Sequence, residues 1–279
     1  MKHLIFMSLI FSAIGLNSCF VNSGSSKNDT IVVIETTEGT IKVKLYNETP
    51  LHKANFLKLV NESFYDGVLF HRVIKNFMIQ TGDPDSKNAA AGARLGSGGP
   101  GYTVPAEINP LFFHKKGALA AARQGDQVNP NRESSGSQFY IVQGETFTDE
   151  ELNMIEENAN RGMVMPLIMK FIYAQGNEAY ASRFEKAQQA QNIDSLNALG
   201  AQVEALIADQ INALNTFKFT PEQREVYKTI GGTPHLDGAY TVFGEVIEGL
   251  EIVDKIAATR TAAGDRPATD IKIISMKVD

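Results

Sequence analysis

One cysteine, five histidines and no tryptophan occur in the 279 residues of this sequence. The lone cysteine, Cys19, has no partner in the chain for a disulfide. The histidines show no His-x-x-x-His or similar spacing, so no metal site is expected. Basic charge is scarce too. The formal net charge is −6 and no long basic run occurs, which argues against the concentrated positive face of a nucleic-acid binder. A Gly/Pro-rich stretch at 96–101 lacks the Lys-Ser/Thr of a phosphate-binding P-loop and reads as a surface loop. Long apolar runs are also missing. The nearest is Leu4 to Gly15, about a dozen residues, the length of a signal-peptide core and short of the roughly 20 needed to span a membrane.

That run follows the charged start Met1-Lys2 and leads into polar sequence from Asn22 to Asp29, which does not suit a buried core helix. Between them, Leu16-Asn17-Ser18-Cys19 resembles a bacterial lipoprotein signal, in which small residues precede a cysteine that becomes the lipidated first residue. The resemblance implies a signal peptide over 1–18, lipidation of Cys19, and a flexible tether over 19–29. The expected location is therefore exported and lipid-anchored to a bacterial membrane, facing the periplasm or the cell surface.

From Thr30 the pattern becomes β-like. Ile31 to Ile34 is a β-branched run, Glu38-Gly39 offers a turn, and Ile41, Val43 and Leu45 alternate with Lys42, Lys44 and Tyr46, as in a hairpin with one buried face. Thr49-Pro50 offers an N-cap and first-turn proline for a helix to about Val60, with Phe56, Leu57 and Val60 on one face. Short strands are expected at 68–74, 77–81, 117–122, 137–142 and 240–246, then a helix at 250–258 and a last strand at 271–278. Many short strands with few long helices suggest a closed β-barrel, which removes exposed strand edges. Residues 148–219 differ, being rich in Ala, Glu, Gln, Asn, Met and Leu. Thr148 with Glu151, and Thr220 with Gln223, have capping-box spacing. Leu196, Leu199, Val203, Leu206 and Leu214, around Ile207 and Ile211, mark a helical apolar face. The reading is a helical insertion between two parts of a β-rich domain, 30–147 and 220–279. It either recruits client proteins or is a lobe packed on itself or on the barrel.

Three blocks carry the chemistry: Phe70 to Asp83 (FHRVIKNFMIQTGD), Gly136 to Ile141 (GSQFYI), and His235-Leu236-Asp237-Gly238 leading into Val242-Phe243-Gly244. In this order they resemble the cyclophilin family of prolyl isomerases, with similarity over about 30–143 and 223–278. The resemblance implies a mainly β fold, a closed eight-stranded antiparallel barrel capped by helices, here with an inserted α-helical subdomain. It implies that Arg72 is the catalytic arginine and that Phe77, Met78 and Leu236 wall a proline pocket. Gln80 and Gln138 line the substrate groove, and Ala122 meets the peptide through its backbone. Four neighbouring positions depart from common family residues. Tyr140 stands where many relatives have phenylalanine, and Arg123 where eukaryotic relatives often have asparagine. His235 replaces the tryptophan of drug-sensitive members and Tyr240 a histidine, which argues against tight cyclosporin binding. His71 is read as structural, because alternation turns it away from Arg72.

The residue types suit rotation about a peptide bond. No bond breaks, so no nucleophile, metal or cofactor is needed. An apolar pocket can grip the proline ring, and a fixed guanidinium can hydrogen-bond near the twisting amide. Expected partners are proline-containing polypeptides of exported proteins, with the chain a monomer. The competing reading is a non-catalytic peptide-binding or chaperone module on the same scaffold.

Overall fold

The structure, a computed structural model, describes residues 29–214 and 216–279. The expected signal segment 1–18 and Cys19 lie outside the described residues. The chain runs β1 (Thr30–Thr36), β2 (Gly39–Leu45), α1 (Pro50–Asn61), β3 (Arg72–Ile74), β4 (Met78–Thr81), β5 (Thr103–Val104), β6 (Ala118–Ala121), β7 (Ser134–Ser135) and β8 (Phe139–Val142). Then come α2 (Asp149–Ile172), α3 (Glu178–Gln189), α4 (Ile193–Leu206), α5 (Ala208–Asn212), α6 (Pro221–Thr229), β9 (Val242–Glu248), α7 (Leu250–Ala257) and β10 (Ile273–Val278).

Among the described residues, eight strands form one antiparallel sheet in the order β10-β1-β2-β9-β6-β8-β4-β3, and β5 pairs with β7 apart from it. The expected closed barrel is corrected here. The sheet is an open half-barrel with β3 and β10 as its edges. The expected strand at 68–74 shortens to Arg72–Ile74. The residues before it cross the seam instead, with the amides of Gly67 and Phe70 donating to the carbonyls of Ile273 and Ile271. A few bonds between lead-in segments hold the seam, and no strand ladder does.

The β1–β2 hairpin shows how the sequence sets its own register. Ile41, Val43 and Leu45 are buried while Lys42 and Lys44 lie between them on the other face. The turn falls at Thr37-Glu38, one residue earlier than expected. The Thr36 hydroxyl explains the shift, since it accepts from the amides of Glu38 and Gly39 and donates to the Gly39 carbonyl. Inside the half-barrel, Phe56 of α1 meets Phe139 and Phe243 edge-on at 5.3 and 5.4 Å.

Helix α1 differs from expectation at its start. Thr49 is the N-cap residue, but its side chain makes no capping bond. Glu107, distant in sequence, supplies the cap. Its two carboxylate oxygens accept from the amides of Leu51 and His52 at 3.0 and 2.9 Å. Burial lowers the His52 pKa, against the pull of Glu107, so the 2.6 Å contact between them is a hydrogen bond from a neutral ring.

The helices after β8 have two apolar centres. Ile168 and Ile172 of α2 pack with Leu199, Val203 and Ile207. At the root, Leu152 of α2 packs with Phe219 and Tyr227. Both expected capping boxes form, at Thr148/Glu151 and Thr220/Gln223. Leu206, expected on the apolar face, is exposed, because α4 ends there and the chain turns at Ile207 into α5. Among the described residues, no helix is long and apolar enough to cross a membrane.

Glu107→Ala removes two helix-start acceptors and the His52 partner together. We expect a loss of about 2 kcal/mol of folding stability by urea titration. A Thr49→Ala change at the formal N-cap is expected to cost less.

Candidate active site

Pleating sorts the site from the core. On β4, β6 and β8, one set of side chains, Ile79, Leu119, Ala121, Phe139 and Ile141, enters the inner core. The alternate set, Met78, Ala118, Ala120, Ala122, Tyr140 and Val142, forms a second apolar cluster on the outer face. The outer residues of β6 and of its continuation at 122 are all alanine, so that face is shallow beside its neighbours. Phe77, Leu236 and Tyr240 pack around it. The result is a cavity of about 320 Å³ that opens to solvent.

Each wall has a local cause. Arg72 lies directly across from Gln80 in the β3–β4 pair. The turn between these strands places Asn76 at φ 62, a left-handed conformation that asparagine tolerates. The Phe77 carbonyl accepts from the amides of Gln143 and Gly144, which fixes that wall against β8. Elsewhere on the rim, Arg266 is buried and donates to the carbonyls of Ala89 and Ala90 and to Asp270. That ties together the two loops that bring Leu95 and Gly264 to the cavity rim.

Polar groups run along the rim in a chain. Arg72 Nη1 donates to Gln80 Oε1 at 3.4 Å, Gln80 Nε2 donates to Gln138 Oε1 at 3.1 Å, and Gln138 Nε2 donates to the Gly98 carbonyl at 2.8 Å. Arg72 Nε lies 3.7 Å from Asp265 Oδ2, with both side chains near half exposure, so this ion pair holds the guanidinium weakly. Arg123 is more constrained. Its Nε donates to the Ala239 carbonyl at 2.7 Å, its guanidinium lies over the Tyr240 ring at 4.6 Å, and Nη1 reaches Asp126.

The structure brings Arg72, Phe77, Met78, Gln80, Ala122, Arg123, Tyr140, Leu236 and Tyr240 to this one cavity. Gln138 belongs to an adjoining groove of about 730 Å³ that shares Gln80, Gly96, Ala122 and Arg123 with it. The Gly96–Gly101 loop forms part of that groove's wall. His235 does not line the cavity. It stacks on the outside of Phe77, with ring centroids 5.5 Å apart. Among the described residues, no three His, Cys, Asp or Glu side chains converge as metal ligands would.

Sequence reasoning missed Leu95, Gly264 and Asp265, which arrive on loops with no chemical signature of their own. It also took too little from His71. The ring is buried yet lines the cavity beside Arg72. Burial, aided by the charge of Arg72 and opposed by Asp83, lowers its pKa to about 4.

A family model described as cyclophilin type peptidyl-prolyl cis-trans isomerase/CLD matches residues 31–164 and 213–278. The chain belongs to the cyclophilin-type peptidyl-prolyl cis-trans isomerases. Proteins of Staphylococcus epidermidis and Staphylococcus aureus with the provisional name of peptidyl-prolyl cis-trans isomerase are each 28% identical to it over 260 residues, covering 93% of this chain and 96% of theirs. The crystal structure of a Cryptosporidium parvum cyclophilin-type isomerase aligns with TM-score 0.51 at 20% identity, covering 90% of this chain and 98% of that one. A second crystal structure of the parasite protein, in the presence of the dipeptide Ala-Pro, aligns with TM-score 0.50 at 19% identity, covering 89% and 98%. The fold is that of the cyclophilins, and the protein is an isomerase of X-Pro peptide bonds. The non-catalytic alternative is not favoured.

His71 gives this cyclophilin a pH signature. The unfolded ring has a pKa near ~6.5 and the folded ring about 4, so the unfolded state binds more protons in that window. Stability is fully present above about pH 6.5 and falls as the pH drops toward 4, by about 3 kcal/mol from this group. Urea midpoints across that range are expected to fall less steeply in His71→Leu than in the native protein. Equal slopes would rule out His71 as the source.

Proposed function

We propose that this cyclophilin isomerises X-Pro bonds of exported polypeptides, assisting their folding, with Arg72 as the catalytic group. The observation that carries the assignment is the polar chain Arg72–Gln80–Gln138 along the rim of an apolar cavity. A planar X-Pro bond resists rotation by ~18–20 kcal/mol because the nitrogen lone pair is delocalised. Twisting the bond restores that lone pair. A guanidinium aimed at the proline nitrogen stabilises the twisted form over both planar forms, which lowers the barrier without covalent chemistry. Phe77, Met78, Leu236 and Tyr140 enclose the proline ring, and Gln80 orients Arg72 through its side-chain carbonyl. Ala122 offers backbone to the peptide, while Gln138, Arg123 and Tyr240 bound the run of chain beyond the proline. His235 acts by backing Phe77.

The proposal places the enzyme on a bacterial membrane, facing the periplasm or the cell surface, held by lipid on Cys19. Supporting this are the apolar run at 4–15, the Leu16-Asn17-Ser18-Cys19 sequence, and the polar stretch that precedes β1. It also treats residues 148–219 as an inserted helical subdomain. The family match passes over 165–212, and the helices there share a cluster of their own.

In a prolyl-peptide exchange assay, Arg72→Ala is expected to lower kcat/KM by about 10²–10³ with an unchanged thermal melt. Undiminished turnover would refute the mechanism. Intact-mass measurement on protein extracted from a bacterial membrane is expected to find an acylated Cys19 at the mature N-terminus, and an unmodified N-terminus there would overturn the anchor.

A further inference from the structure

Behind the cavity lies a chain of polar side chains that the isomerase mechanism does not use. Tyr140 lines the cavity, and its hydroxyl lies 3.0 Å from Nε2 of His114. His114 Nδ1 lies 2.8 Å from Asp237 Oδ1, and the His114 amide donates to the same oxygen at 2.8 Å. The other carboxylate oxygen accepts from the Tyr227 hydroxyl at 2.6 Å. Tyr140, His114 and Tyr227 are all buried, as is the Asp237 side chain.

The proton positions follow from these partners. An ionised carboxylate only accepts, so Nδ1 of His114 donates to it, and in a neutral ring Nε2 is then an acceptor. With the ring neutral, the Tyr140 hydroxyl donates to Nε2. Burial raises the pKa of both phenols, so both keep the protons this pattern needs. Every donor in the row meets an acceptor, and Asp237 collects three hydrogen bonds out of reach of water.

The two ends of the row differ in kind. At one end, Tyr140 is a cavity wall, and Asp237 directly follows Leu236, another wall. At the other, Tyr227 sits in α6 at the root of the helical segment, in one cluster with Leu152 of α2 and Phe219. Phe113, next to His114, meets the Tyr227 ring at 5.5 Å. A Cβ on Gly232 would come within 2.2 Å of the His114 carbonyl and 2.6 Å of the Tyr227 ring, so there is no slack between the parts.

We infer that Tyr227, Asp237 and His114 are positioning residues that lock Tyr140 in the geometry that grips proline, tying the root of the helical segment to the isomerase pocket. The inference rests on the reading of this cavity as the proline site. A ring held only by packing can rock as the amide twists beside it. A ring pinned at its far end cannot, and small displacements of a gripping wall reduce rate strongly.

The test is a set of kcat and KM measurements on a prolyl peptide with Tyr140→Phe, His114→Leu, Tyr227→Phe and their pairwise combinations, each checked by thermal melt. A lock felt in the twisted state lowers kcat and leaves KM nearly unchanged. We expect about a fivefold loss of kcat for Tyr140→Phe and for His114→Leu, and about threefold for Tyr227→Phe. Acting through one hydroxyl, His114→Leu and Tyr227→Phe should add almost nothing once Tyr140→Phe is present. Losses that multiply in the double variants, or single variants with native kcat, would overturn the inference. Should His114→Leu fail to fold, the Tyr140→Phe and Tyr227→Phe pair carries the same test, since each removes one oxygen. Arg72→Ala in the same assay separates the two levels. Native turnover there would remove the cavity as the active site, whereas lost turnover with multiplying losses would remove only the lock.

Discussion

Side chains leave a pleated strand on alternate sides, and the pocket of this cyclophilin depends on how three strands use that constraint. Ile79, Leu119, Phe139 and Ile141 fill the half-barrel, while Met78, Ala120 and Tyr140 face outward from the same stretch of backbone. The core that stabilises the sheet is thus also the support of the cavity surface. Alanines on the outer side of β6 make room between larger neighbours, and a bulkier side chain at Ala122 would fill the cavity from beneath. The inner apolar cluster is large enough to keep those backbones in place without help from the pocket.

Much of this was legible in the sequence because its cause is local. Alternation in β2, the two capping boxes and the limits of α7 follow from neighbouring residues, and each formed nearly where expected. The Phe70-to-Asp83 block located the Arg72 wall, since a three-residue strand, an Asn-containing turn and a return strand bring Arg72 and Gln80 face to face. What stayed hidden depends on distance. Glu107 caps a helix more than fifty residues before it, and nothing near Thr49 announces that. The half-barrel stays open because residues 67–70 do not extend β3 and make only a few bonds across the seam, too few for a ladder, a choice made by pairing and invisible to strand propensity. His114 in Phe-Phe-His-Lys-Lys carries no motif, and its place between Tyr140 and Asp237 appears only when two distant loops meet.

The helical segment looks different once its root is considered. Its outer helices have their own apolar cluster around Ile168 and Val203, but Leu152 and Phe219 pack on Tyr227, which belongs with the loops behind the pocket. Attachment is also tight at the main chain. A Cβ on Gly144 would fall 2.4 Å from the Gly232 backbone, so the strand leaving β8 and the loop leaving α6 touch with no space for a side chain. The root of the helical segment is therefore packed directly against the loops behind the pocket.

The two sides of the active site differ in mechanical restraint. Among the described residues, β3, which carries Arg72, is three residues long and has β4 as its sole sheet neighbour, whereas β6 and β8 under the opposite wall are each paired on both sides. Edge strands open at lower free energy than central ones. One side is therefore stiff and the other more compliant, and Arg72, the catalytic group proposed above, is mounted on the compliant one.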